Sequence, residues 1–182
     1  MSRTCTRGFV AAITLVACAL GAGCAGYSSG EGKGGGNGYA WGSTFRKDIR
    51  TIAIPAFGTK SFSRGDEIAL TQALVAQVES RTPYKIVPAE RADTILEGLV
   101  ISVGTGTVSL DNQTALPQES VYTIRVDFTW KDLRTGTILV ERRNFDQSST
   151  YYPTLGDGRF VGRQTTAEQL AASIVDELQG EW

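Results

Sequence analysis

Histidine is absent from the 182 residues. That removes Ser-His-Asp and Cys-His catalysis, histidine metal sites and histidine pH switching together. Ser61, Ser63, Ser148 and Ser149 also lack a nearby Ser-x-x-Lys partner. Asp66 and Glu67 stand where a helix is predicted to begin, so they read as charges that complement its dipole rather than as an acid/base pair. Asp127, Asp132 and Glu141 lie on or near one predicted hairpin, but their spacing is not that of a calcium loop. No catalytic residue, metal ligand or cofactor is assigned. The same hairpin carries Arg125, Lys131, Arg134, Arg142 and Arg143. Such cations solubilise a strand edge. They also suit recognition of phosphate or carboxylate, because the guanidinium fork matches those groups.

The three cysteines are Cys5, Cys18 and Cys24, so no disulfide framework exists in the rest of the chain. Arg3 and Arg7 precede a short apolar run that ends near Leu20, followed by Gly21-Ala22-Gly23-Cys24. A basic start, a short apolar stretch and small residues make a secretory signal over residues 1–23, too short for a membrane span. A cysteine directly after such a stretch resembles a bacterial lipobox, where the thiol is acylated. Leu15-Val16-Ala17-Cys18 is the closer local match, while Cys24 follows the fuller apolar region. More than one acyl chain holds a protein stably at a membrane, at about 0.8 kcal/mol per buried methylene. Charge does not assist: cleavage before Cys24 removes two of 18 basic residues and none of the 19 acidic ones. The balanced charge, −1 overall, also argues against a nucleic-acid binder.

Residues 24–44 form a glycine-rich tether after the acylated position, including Gly34-Gly35-Gly36, with Tyr39 and Trp41 near its end. Residues 45–182 form a single predicted domain. Ile52 and Ile54 alternate before Pro55 in a first strand. A helix follows over about 65–81, its apolar stripe drawn through Ile68, Thr71, Leu74, Val75 and Val78. Tyr84 to Val87 makes a short strand. A long strand starts near Thr94, with Leu99, Ile101 and Val103 on one face and Gly98, Gly104 and Gly106 on the other. Repeated glycines on one face point to curvature or to close approach by another backbone. Tyr122, Ile124, Val126, Phe128 and Trp130 alternate strictly with polar residues, as in a half-buried antiparallel strand. Asp132 to Gly136 turns the chain back. A loop over 151–163 leads to a last helix, about 166–179, capped at Thr165 or Thr166. The order predicts an α+β two-layer sandwich, with two helices on one face of a mainly antiparallel sheet of four to five strands.

In series, several segments resemble the LptE family of lipopolysaccharide-assembly lipoproteins. They are Cys24-Ala25-Gly26-Tyr27, Ile49-Arg50-Thr51-Ile52-Ala53-Ile54-Pro55-Ala56-Phe57 with Phe62, and Ala92-Asp93-Thr94-Ile95-Leu96-Glu97-Gly98. Trp130-Lys131-Asp132-Leu133-Arg134-Thr135-Gly136 and Leu170 to Leu178 near Trp182 complete the series. The resemblance implies Cys24 as the lipidated residue, since family members carry Cys-Gly-Tyr there; this chain inserts Ala25. It implies an outer-membrane lipoprotein on the periplasmic face that plugs an LptD-type β-barrel, assists its assembly and contacts lipopolysaccharide. On that reading the five hairpin cations meet lipid A phosphates. A regulator of a peptidoglycan synthase or secretion complex, or a hydrolase built from dispersed carboxylates, are the other classes compatible with such a domain.

Overall fold

The computed structural model describes residues 44–179, all within one compact unit, Gly42–Trp182. The signal segment, Cys18, Cys24 and most of the tether lie outside the described residues. The elements are β1 (Thr51–Ala53), β2 (Gly58–Thr59), α1 (Asp66–Arg81), β3 (Lys85–Ile86), β4 (Thr94–Leu110), β5 (Pro117–Asp132), β6 (Ile138–Tyr151) and α2 (Arg159–Glu177). The sheet order is β3-β1-β4-β5-β6, with β2 also beside β4. β1 runs parallel to β3 and β4, and β2 parallel to β4, while β4, β5 and β6 form an antiparallel meander. α1 and α2 pack on each other and on this sheet. The expected α+β sandwich is present, one strand richer because β2 lies in the segment between the first strand and the first helix, where no strand was expected.

β5 is the spine. Tyr122, Ile124, Val126, Phe128 and Trp130 are all buried, as strict alternation requires. Asp132 closes the next turn: its carboxyl accepts from the Arg134 and Thr135 amides, and Gly136 takes φ 75°.

Elsewhere the faces differ from those the periodicity indicated. On β4 the buried residues are Thr94, Leu96 and Val100, not Leu99 and Ile101. A bulge between Val100 and Ser102 then shifts the register, so Val103 joins the core from the next position. Gly98 therefore stands on the core face, and what approaches it is the Phe57 ring rather than a backbone. Gly104 and Gly106 meet no comparable neighbour. On α1 the buried face is Asp66, Leu70, Ala73, Leu74 and Val78, and Ile68 is exposed. A helix face that begins with a carboxyl is invisible to an apolar count. α2 starts at Arg159, seven residues before the expected start at about 166, with Gly158 as N-cap. Its first turns dock through Gly162, where a Cβ would lie 2.6 Å from Tyr151 Cδ1 and 3.2 Å from Tyr122 Cβ. Contact made through a missing side chain leaves no apolar stripe. Thr166 is buried inside the helix and donates to the Gly162 carbonyl at 2.7 Å.

Asp93 fastens β1 to the start of β4. Its Oδ2 accepts from the Arg50 and Thr51 amides, each at 3.1 Å, and its own amide donates to Thr51 Oγ1. The Arg50 amide first, then the bonding with Thr51, holds this carboxyl below the usual aspartate range. A carboxyl whose folded pKa is depressed contributes stability above its unfolded pKa of about 3.9, and loses it as pH falls through the folded value. Asp93→Asn is therefore expected to flatten the acid limb of stability between about pH 5 and pH 2. Urea midpoints measured across that interval check it, and an unchanged acid limb refutes it.

Candidate functional site

The five hairpin cations do not converge. Arg125 and Lys131 project from odd positions of β5, on the face turned away from the helices, six residues or about 20 Å apart along the strand. Arg125 Nε lies 4.0 Å from Asp146 Oδ1 across the sheet. Arg134 sits in the turn, its Nη2 3.3 Å from Asp132 Oδ2, and this contact raises the guanidinium pKa and lowers that of the carboxyl. Arg142 turns to the helix layer, with Nη2 2.7 Å from Glu177 Oε2. Arg143 pairs with Glu141 at 2.8 Å. Lys131 makes no ion pair among the described residues. Asp146, Glu177 and Glu141 are partly solvated, so their pairs exchange for other anions, whereas Asp132 is buried and holds Arg134 in the turn.

The carboxylates and serines of the hairpin have structural tasks. Asp127 Oδ1 accepts from the Asn144 amide at 2.7 Å and holds the bulge where Asn144 takes φ 52°. Ser149 is buried against the Gly162 carbonyl and Thr166. Ser148 bonds Thr123, and Ser61 accepts from the Ser63 amide. Among the described residues no three metal-binding side chains come together.

A different constellation forms where α2 begins, in the segment expected to be a loop. Arg159 and Arg163 are one helical turn apart, so both project to the same side. With Ser63, Tyr122 and Phe160 they line a cavity of about 270 Å³. The Arg159 guanidinium carbon lies 5.9 Å from the Tyr122 ring centroid, and that of Arg163 5.3 Å from the Phe160 ring. Neither arginine has an acidic ion-pair partner among the described residues. Behind the cavity, Tyr122 Oη donates to Asp66 Oδ1 at 2.6 Å. Asp66 is fully buried at the N-terminus of α1, and among the described residues its Oδ2 has no hydrogen-bond partner. Burial, then the bond to Asp66 and its charge, push the Tyr122 phenol above its usual range. The cavity therefore presents two cations and the Ser63 hydroxyl, an arrangement for holding an anion. Leu155, Phe160, Val161 and Phe62 are exposed on the segments that supply it. The only sequence signal was Arg159-Phe160-x-x-Arg163, legible once the helix is known to start there.

The sequence of the folded body decides the family. The LptE family, described as lipopolysaccharide-assembly, matches residues 49–179. The chain belongs to that family. No curated protein matches it. Among solved structures, the hypothetical protein CT253 from Chlamydia trachomatis is similar with TM-score 0.52 and 8% identity, over 71% of this chain and 95% of that one. The uncharacterized lipoprotein B from Nitrosomonas europaea is similar with TM-score 0.51 and 12% identity, over 72% of this chain and 83% of that one. At such identities these likenesses concern the fold alone. This LptE-family body contains no described helix long and apolar enough to cross a membrane.

Proposed function

We propose that this protein is a lipid-anchored, non-enzymatic plug and assembly partner of an LptD-type β-barrel, working in lipopolysaccharide transport at the periplasmic face of the outer membrane. The observation that carries the reading is the family match across residues 49–179, nearly the whole described body. Two features support it. The odd positions of β5 give the sheet a polar outer face, suited to a polar barrel lumen. The hairpin carboxylates Asp127, Asp132 and Glu141 are tied into structural bonds, as in a scaffold. Acylation at Cys24, with Cys18 as the alternative, supplies the anchor; mass spectrometry of the mature N-terminal peptide identifies the modified residue. Copurification of the barrel protein in mild detergent tests the partnership, and a solitary protein under those conditions overturns it.

Lipopolysaccharide phosphates are met by Arg159 and Arg163 and, in the second part of the reading, by Arg125, Lys131, Arg134, Arg142 and Arg143. Arg125, Arg142 and Arg143 exchange their present carboxylates for phosphate, Arg134 offers its remaining donors from the turn, and Lys131 binds directly. A charge-assisted hydrogen bond contributes about 1.5–3 kcal/mol, so Arg159→Ala/Arg163→Ala is expected to lower lipopolysaccharide affinity about tenfold or more. Binding titrations of the two double variants separate the sites. Unchanged affinity in R159A/R163A removes the cavity from the reading, and unchanged affinity in R142A/R143A removes the hairpin.

A further inference from the structure

Among the described residues the sheet has three open edges, and two are blunted. β3 is two residues long and lies between Pro83 and Pro88. β6 carries Glu141, Arg142, Arg143 and Asp146 and is bent by the Asn144 bulge. Charges, prolines and bulges are the usual guards against unwanted strand pairing. The third edge is the side of β4 away from β5, beyond the point where β2 stops. β2 pairs at Leu99 and Val100, and the Lys60 amide donates to the Val100 carbonyl. Past Val100, among the described residues, no strand pairs with that side of β4. From Gly98 to Leu110 there is no charged residue and no proline, and β-branched Ile101, Val103, Thr105, Thr107 and Val108 dominate. Between its bulges β4 keeps an unbroken register from Ser102 to Thr107 against β5. Ser102 and Gly104 to Val108 are exposed.

We propose that this edge of β4, centred on Ser102–Thr107, accepts an added β-strand from the β-barrel partner. The inference rests on the partnership proposed above and names the surface that makes it. An unpaired edge recognises extended backbone through main-chain hydrogen bonds, whatever the side chains. Lacking charge, it offers no hold to a nucleic acid or a lipid phosphate. Its Ser, Gly and Thr side chains are small, so the alternating side chains of an incoming strand fit beside them. A barrel strand is such a segment, and before closure it has an edge of its own to satisfy. An edge with neither charge nor proline, and with its bulges only at the ends of the segment, beside two that are guarded along their length, is one that is covered when the protein works.

The test uses the full-length protein in intact cells, with a photo-crosslinking residue at Thr105 or, as control, at Asp146 on the guarded edge. Crosslinking of the barrel protein from position 105 and not from 146 is the expected result. In the otherwise unaltered protein, Thr105→Lys/Thr107→Lys is expected to reduce recovered barrel about tenfold, and Thr105→Val/Thr107→Val to retain it. Both residues are exposed, and the thermal midpoint confirms that the lysine variant folds. If the barrel copurifies but position 105 does not crosslink to it, or the lysines change nothing, the edge inference fails and the partnership stands. Crosslinking to a second copy of the chain overturns it likewise. If no barrel copurifies at all, the partnership itself falls, and the inference with it.

Discussion

Trp130→Ala lowers the unfolding free energy by about 3–5 kcal/mol, as deletion of a buried aromatic side chain does. The indole is the largest of the fully buried side chains and is 1% exposed. It sits on β5, paired with Leu96 on one side and Val140 on the other, with the Tyr84 ring centroid 6.1 Å away. Tyr84 packs edge-on against Phe45 and accepts from the Arg46 amide, so Trp130 lies in the aromatic row that joins the sheet to the segment before β1. Its Nε1 has no hydrogen-bond partner among the described residues. The loss is therefore one of packing and transfer, and Trp130→Phe restores a large part of it. Denaturant midpoints at constant m-value measure both variants. A loss below about 1 kcal/mol for Trp130→Ala contradicts the packing described.

Gly98→Val is expected to be nearly as damaging for the opposite reason. A Cβ at Gly98 would lie 2.0 Å from Phe57 Cε1, 2.5 Å from Cδ1 and 2.6 Å from Cζ. The ring has nowhere to retreat: it is 3% exposed, and its own amide donates to Thr71 Oγ1 on α1 at 3.1 Å. Overfilling a packed site costs about 1–3 kcal/mol, and a valine at this depth belongs at the upper end. Phe57→Ala alone is destabilising by about 3–5 kcal/mol through the cavity it opens. Combined, the two changes put the valine methyls into the vacated space, so the double variant loses well under the sum of the singles. A double-mutant cycle reads that coupling directly, and additive losses would show that Gly98 and Phe57 do not meet.

Gly98 also marks how far local pattern reaches. Glycines along a long strand were sign enough that something comes close. Which glycine was approached, and by what, depended on Phe57, some forty residues earlier in the chain. The Val100–Ser102 bulge set the face, and a single inserted residue exchanges the two faces of a strand without changing its composition. The start of α2 escaped notice for a related reason. Gly162 docks by lacking a side chain, and no hydropathy period records an absence.

The five strands other than β2, the body of both helices, the turn at Asp132–Gly136 and the core face of β5 follow from residue order, because each carries a local period or turn pattern; β2 and the first turns of α2 do not. The lack of histidine, and the uncharged run from Gly98 to Leu110, are likewise properties of the chain before it folds. The candidate site is not. Ser63, Tyr122, Arg159 and Arg163 come from a loop, a strand and a helix far apart in the chain, and packing brings them around one cavity. The hairpin arginines, neighbours in sequence, were separated between two sheet faces and a turn. Proximity along the chain sets local geometry; proximity in space depends on which faces the whole core buries, and that balance is struck over the entire domain at once.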